Sequence, residues 1–347
     1  MMRTILLPLL ATACCLHAAD VHVSPTGRDA NPGTEAAPFQ TLTRARDTAR
    51  SAKAKGAVTV WLHGGTYWQP TPLLLGPEDS GTAKAPITYR AVKGEQVWLN
   101  GGVLLPPQAF SPVTVGTSRL PEEARKQVRQ AKLPAKVIAQ LSPVWPDTWW
   151  TTRTLTANSE LFAGDRRLPL ARWPNDDYTT FGEIVEPGVK GGADPVFTYT
   201  GDRPARWSAA ENPFLYGYWK RGYRAEFIRI KAIDPEKRTI QLAATNSLGA
   251  LEDGGASRYF AVNLLEELDV PGEWFLDRKT GILYLWPPAK AGRIVLSVNQ
   301  TAVIEGSKVG HVTFRDLGIE CSARDGISLK GSNHIKVVSC EVRNTAF

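Results

Sequence analysis

Gly306-Ser307-Lys308-Val309-Gly310-His311-Val312-Thr313-Phe314 returns as Gly331-Ser332-Asn333-His334-Ile335-Lys336-Val337, the histidines 23 residues apart and the Gly-Ser pairs 25 apart. A period between about 20 and 50 residues marks stacked units, each too small to bury its own apolar face. Within the unit Val312, Phe314, Leu317 and Ile319 alternate with other residues, Ile327 and Leu329 follow, and turns are expected at Asp325-Gly326 and Gly331-Ser332. Such alternation is that of short strands with one face buried. One turn of a right-handed parallel β-helix takes about this many residues, its strands stacked about 4.8 Å apart along the axis. A leucine-rich repeat would show its Leu and Asn signature, which this stretch lacks.

The same short strands occur near the start of the chain. Val21-His22-Val23 precedes a run of turn residues from Ser24 to Thr34, and Thr41 to Lys55 reads as a helix. Thr41 is its N-cap, Leu42, Ala45, Ala49 and Ala52 form a narrow apolar stripe suited to a lid, and Gly56 stops it. Val58 to Leu62, Gly64 to Tyr67, Ile87 to Ala91 and Val97 to Gly102 are then short extended segments. They lack two-residue Asn-Gly or Asp-Gly links and have Pro70, Pro72, Pro77 and Pro86 between them, so they are not hairpins.

From Val103 to Lys290 the coil pattern is interrupted and antiparallel signals take over. Glu160 to Leu168 turns at Gly164-Asp165; Phe227 to Ile230 joins Thr239 to Leu242 across Asp234 to Lys237; Trp274 to Leu276 joins Ile282 to Leu285 across Asp277 to Gly281. Pro121 to Ala131 is expected to be a short helix with Pro121 in its first turn and Glu122 and Glu123 near its positive end. The organisation read from the chain is residues 1–19 signal peptide, 20–102 amino-terminal cap and first coils, 103–290 inserted β-rich domain and 291–347 further coils.

The signal peptide rests on the basic start Met1 to Arg3, the largely apolar Thr4 to Leu16 and the small residues ending Leu16-His17-Ala18-Ala19. The protein is therefore expected to be secreted or periplasmic, with a lipoprotein anchor at Cys14 as an alternative on the weak match Ala11-Thr12-Ala13. No later stretch approaches the roughly 20 apolar residues of a membrane span. Cys321 and Cys340 remain after cleavage, at different phases of the repeat, and read as separate thiols; no spaced His/Cys cluster points to zinc, and no cofactor is indicated. The net charge of +7 favours an acidic polymer as partner, but Lys and Arg are scattered. In Lys220 to Lys231, Arg229 and Lys231 alternate with Ile228 and Ile230 as a solvated strand face does, and nucleic acid is not an expected partner.

The segments Val23 to Gly27, Asn31 to Thr34, Pro38 to Leu42, Gly64-Gly65-Thr66-Tyr67, Asp79 to Thr82 and Pro86 to Arg90 resemble those of exported right-handed parallel β-helix proteins, and in particular are similar to glycoside hydrolase family 141. Leu168 to Asn175 and Tyr259 to Asn263 through Pro271 to Trp274 look like that group's inserted domain. The resemblance covers most of the mature chain. It implies a carbohydrate-active hydrolase acting on a polysaccharide or oligosaccharide. It also implies that family members continue through many more coils, which carry the active-site carboxylates. Because Ile335 to Arg343 is a strand pattern in mid-stack with nothing to cap it, the chain is expected to be the amino-terminal portion of a longer protein.

Eight of the 11 Trp fall in the interrupting stretch: Trp145, Trp149, Trp150, Trp173, Trp207, Trp219, Trp274 and Trp286. Indole rings are platforms for the flat C–H faces of sugars. Trp274 and Trp286 read as core; Trp149, Trp150, Trp207 and Trp219, near Gly, Pro and charge, are the surface candidates. Hydrolysis of a glycoside needs two carboxyl groups, about 5 to 9.5 Å apart according to stereochemistry. Asp316, Glu320, Asp325 and Glu341 are the coil carboxylates, and none is singled out as catalytic: Asp325 precedes Gly326 as a turn residue does, and Glu320 and Glu341 are out of phase with the repeat. A lyase of acidic glycans would use a basic residue and often calcium, for which Asp176-Asp177 and Asp29 to Asn31 are loop oxygens that turn and capping roles explain equally. A non-catalytic carbohydrate-binding or adhesion β-helix is the third reading.

Overall fold

In the computed structural model, strands from both ends of the chain share the same sheets. The structure describes residues 18–142, 159–246, 248–252 and 257–346. Nearly all of the expected signal peptide, together with Trp145, Trp149, Trp150 and Phe347, lies outside these residues.

Three sheets are wholly parallel. One runs Ala19–Val23, Val58–Leu62, Ile87–Ala91, Val312–Arg315, Lys336–Val338 in spatial order; the second runs Leu73–Leu75, Ala302–Ser307, Asp325–Lys330; the third runs Gly65–Trp68, Val97–Asn100, Gly318–Glu320, Glu341–Arg343. Val312 pairs with Ile87 and Gly318 with Trp98, so the chain rejoins each ladder on the rung next to the one it left. The exit strand Gly102–Leu105 and the return strand Ile294–Ser297 pair antiparallel, which brings the two crossing points side by side. An excursion whose ends are adjacent leaves the stack on either side of it undistorted.

Alternation decides which side chains fill the stack. Val21, Val60, Tyr89 and Phe314 are buried in register, with the Tyr89 and Phe314 rings stacked at 5.6 Å. Each such side chain contributes roughly 1.5–3 kcal/mol by leaving water. The corners take left-handed backbone: Lys308, His311, Asp316 and Cys321 have φ of 54°, 54°, 59° and 57°, and Gly331, His334, Ser339 and Asn344, each 23 residues later, have 60°, 51°, 52° and 53°. Sharp turns between short parallel strands require that region, which His, Asp and Asn tolerate better than most residues. The repeat also stacks the His311 and His334 rings 4.2 Å apart.

The helix Leu42–Ala52 forms where its cap and stripe place it. The Thr41 hydroxyl accepts from the Arg44 N–H at 3.1 Å, and Leu42, Ala45 and Ala49 are buried against Ala19–Val23, Val58–Leu62 and Leu73–Leu75. Arg50 pairs with the buried Asp79 at 2.5 Å and with Glu78 at 3.0 Å, which fixes the helix across the start of the stack.

Between the crossing points the sheets are antiparallel. A seven-stranded sheet runs Arg172–Trp173, Arg258–Val262, Phe214–Tyr218, Ala225–Asp234, Thr239–Leu242, Val196–Thr198, Ile184–Glu186; a four-stranded one runs Trp274–Asp277, Ile282–Leu285, Arg129–Lys132, Phe110–Pro112. The hairpins Leu161–Ala163 with Arg166–Leu168 and Trp274–Asp277 with Ile282–Leu285 form as the turn residues predict. Other expectations are corrected. Pro121 to Ala131 is not a helix: a single 3₁₀ turn, Glu122–Ala124, is followed by the strand Arg129–Lys132, because pairing with Ile282–Leu285 outweighs a weak local helix signal. In the second hairpin Ile230 and residues 232–234 face Thr239–Leu242, whereas Phe227 to Arg229 pair with Phe214–Tyr218. Val97 to Gly102 is two strands rather than one, parting at Gly101. Ile228 and Ile230 are buried, the face opposite Arg229 and Lys231 as the alternation requires.

Candidate functional site

The five-stranded parallel sheet turns its alternate residues outward in two columns along the stack. One reads Asp20, Thr59, Thr88, Thr313, Lys336; the other reads His22, Trp61, Arg90, Arg315, Val338. Neighbouring members of a column lie about 4.8 Å apart, the strand spacing. The aromatic and basic column is held in place by its own contacts. The Trp61 indole N–H donates to Asp20 Oδ1 at 2.8 Å, the His22 ring stacks at 6.4 Å from the indole, and the Arg90 guanidinium lies 4.9 Å from its centroid. Arg90 also pairs with Asp316 at 3.3 Å. Between the first two rungs His22 Nδ1 and His63 Nε2 are 3.2 Å apart, and His63 lies 3.6 Å from Glu95. Burial, and then the neighbouring His63, lower the His22 pKa, against the opposite pull of Glu35 and Asp20. The result is a ribbon of threonine hydroxyls beside a ribbon of ring faces and guanidinium groups, which suits an extended polymer of hydroxyls and C–H faces with some negative charge.

The outer face of the four-stranded parallel sheet is built differently. Thr66, Trp98, Gly318 and Glu341 form one column, and Trp68, Asn100, Glu320 and Arg343 the next. Glu320 is fully buried; its Oε1 accepts from Arg293 at 2.5 Å and from Asn100 at 2.9 Å, its Oε2 from Arg343 Nε and Nη2 at 3.1 and 3.0 Å. Arg343 stacks 3.9 Å over Trp98 and also reaches Glu341 at 3.2 Å. Arg293 comes from the segment beside the return strand, so this carboxylate joins the excursion to the stack.

The other carboxylates named from the sequence are likewise placed. Asp316 sits at a corner against Arg90, and Glu341 is exposed beside Arg343. Asp325 is not a turn residue: it opens the strand Asp325–Lys330 opposite Ala302, with Arg324 at 3.2 Å. Asp20 lies in the first strand of its sheet and Asp316 at the corner that follows the fourth, so they are at least three strand spacings, about 14 Å, apart along the stack. Such a separation exceeds either glycosidase geometry; Glu320 and Glu341 both pair with Arg343, at 3.0 and 3.2 Å. Asp29 Oδ1 accepts from the Gln40 and Thr41 N–H groups at 2.9 Å and Oδ2 from the Thr41 hydroxyl at 2.8 Å; partial burial opposes ionisation, but these bonds hold its pKa below the usual carboxylate range. Asn31 donates to the Pro38 carbonyl, and Asp177 Oδ1 accepts from the Tyr178 N–H, so both loops are turns and caps. Among the described residues no group of three or more His, Cys, Asp or Glu is arranged to hold a metal.

Trp207 and Trp219 are not on the surface. Both are fully buried, their indole N–H groups donating to Glu267 at 2.7 Å and to the Glu226 carbonyl at 3.0 Å. A partner for the polar edge lets the ring enter a core, and for Trp207 that partner lies 60 residues on, where no local charge points to it. Trp274 is buried as expected, and Trp286 packs partly against the core. Among the described residues the rings on the outer faces of the parallel sheets are Trp61, Trp68 and Trp98, whose only sequence signal was their alternation with buried residues within their strands. Cys321 and Cys340 are free thiols, and burial pushes Cys321 up to about 12.

A fold of mainly parallel and antiparallel β sheets is shared with a solved glycoside hydrolase, at a TM-score of 0.66 and 21% identity over 88% of this chain and 51% of that one. No family model matches the chain. In sequence it is 40% identical over 84 residues to a pectate lyase, PEL9, of Emericella nidulans, and 40% identical over 81 residues to the uncharacterized protein YwoF of Bacillus subtilis. These matches take in 24% and 23% of this chain and 19% and 15% of the relatives, so the chain matches only a small part of each relative's length.

Proposed function

We propose that the chain is part of a secreted or periplasmic carbohydrate-active protein in which the three parallel sheets are the coils of a right-handed parallel β-helix, interrupted over about residues 103–290 by an inserted β-rich domain of the kind seen in glycoside hydrolase family 141. The observation that carries this reading is the outward double column on the five-stranded sheet, where Trp61 lies between His22 and Arg90 and a row of threonines runs beside it. An extended glycan lies along such a ladder, its C–H faces on the indole and its hydroxyls on the threonines. The likeness in fold to a glycoside hydrolase supports a hydrolase. A lyase of acidic glycans is the second reading, favoured by Arg90, Arg315 and Lys336 on the same face and by the local identity to a pectate lyase.

Retention on immobilised neutral and acidic polysaccharides tests the face. Trp61→Ala is expected to weaken retention about tenfold, the loss of one stacked ring, with the thermal midpoint lowered by only a few degrees as the contacts to Asp20, His22 and Arg90 go. Equal retention by the variant, or no retention of any polymer by the parent, refutes the assignment. Product analysis separates the two chemistries, since a lyase leaves unsaturated ends that absorb in the ultraviolet and a hydrolase leaves reducing ends without them.

A further inference from the structure

A cavity of about 240 Å³ opens among the hairpin Leu161–Ala163/Arg166–Leu168, the edge of the seven-stranded sheet and the strand Trp274–Asp277. Most of the wall is apolar, with Leu168, Phe227, Phe260 and Leu276 among its residues, and Glu160, Arg167, Arg172 and Arg278 bring charge to it. Arg167 Nε lies 3.2 Å from Glu160 Oε2, so that pair is neutral overall. Arg172 stacks 3.7 Å from the Phe260 centroid and donates to the carbonyls of Pro174 and Asp177; among the described residues no carboxylate is at ion-pair distance from its guanidinium, and Glu273, Asp176 and Asp177 act on it from further off. Arg278, half-buried in the wall, has neither a hydrogen bond nor an ion pair among the described residues. Burial alone lowers its pKa, which is what a guanidinium without a counter-ion shows. A charge taken partly out of water without a partner is costly, and the cost disappears when an anion occupies the site.

One more group says what else the ligand carries. Glu160 Oε2 is buried, faces Arg167 Nε at 3.2 Å and accepts no hydrogen bond, so it is an acceptor that lacks an aligned donor. Ser159 and Asn263 add two further polar groups to the lining. Apolar walls, a few placed polar groups and this volume suit one amphipathic ring.

We propose that this cavity binds a single acidic sugar unit, its carboxylate on Arg278 with Arg172 as the second positive charge and a hydroxyl on Glu160. The fork of Arg278 matches a carboxylate in two parallel hydrogen bonds. The inference rests on the carbohydrate reading above and narrows it to uronic acids at a site away from the ladder face. Calorimetric titration of the full chain with D-galacturonate, D-galactose and acetate tests it. Galacturonate is expected to bind, with galactose and acetate each at least about tenfold weaker, because each lacks one half of the recognition. Arg278→Met is expected to weaken galacturonate at least about tenfold while leaving the urea midpoint unchanged or higher, since no native partner is lost. Arg278→Lys, which keeps the charge but not the fork, weakens it several-fold and serves if the Met variant does not fold. Absence of galacturonate binding, equal binding of galactose or acetate, or full binding in both variants overturns the proposal. Polymer retention through Trp61 is measured separately: retention without galacturonate binding removes this site and leaves the broader reading, and the reverse leaves the site and removes the assignment of the ladder face.

Discussion

Replacing Glu320 by alanine removes the group that joins the stack to the segment preceding the return strand. The carboxylate receives four N–H bonds, one from Asn100, one from Arg293 and two from Arg343, and is itself inaccessible to water. Bonds to a charged group are worth about 1.5–3 kcal/mol each, and breaking a buried ion pair from one side costs about 3–5 kcal/mol. Arg293 and Arg343 retain 31% side-chain exposure and recover part of their hydration, so their share is discounted; Asn100 is fully buried and loses its acceptor outright. The expected loss is about 3 kcal/mol. With a urea dependence of about 3 kcal/mol per molar for a chain of this size, the midpoint falls by about 1 M. Arg343→Ala is milder, about 1–2 kcal/mol, because Arg293 and Asn100 still hold the carboxylate. Hydrogen exchange adds a local readout: amides of Gly318–Glu320 and Glu341–Arg343 should lose protection before those of the helix Leu42–Ala52. A midpoint shift below about 0.3 M for Glu320→Ala, or unchanged exchange in those two strands, refutes the claim that this carboxylate fastens the two parts together.

Two further outcomes follow from titratable groups. Iodoacetamide at neutral pH should alkylate Cys340 and spare Cys321 in the folded chain, read by peptide mass, because the buried Cys321 thiol is pushed up to about 12 and the thiolate is the reactive form; comparable labelling of both contradicts this. His22 is held below its ordinary 6.5, so the unfolded chain binds its proton first, and stability is present above 6.5 and lost as pH falls through 6.5 toward the folded value. His22→Gln should therefore flatten the dependence of the thermal midpoint on pH below about 6.5, and an unaltered slope would mean His22 takes no part in it.

What the chain by itself determined about this protein is periodic. The 23-residue return of His311 at His334, the alternation in Val58–Leu62 and Val312–Arg315, the Thr41 cap with its Leu42, Ala45, Ala49 stripe and the turns at Gly164-Asp165 and Asp277 to Gly281 all follow from local sterics and from which positions must leave water. What only the tertiary structure decided is which distant residues share a face. Asn100 and Glu320 are 220 residues apart and meet because Gly318–Glu320 lands on the rung beside Val97–Asn100; Trp207 is interior because Glu267 waits 60 residues on. Arg129–Lys132 is a strand, not a helix end, because Ile282–Leu285 offers it an unpaired edge. Local pattern sets which side of a strand is apolar, but register between strands is a property of the assembled sheets, and the columns on their outer faces exist only once that register is set.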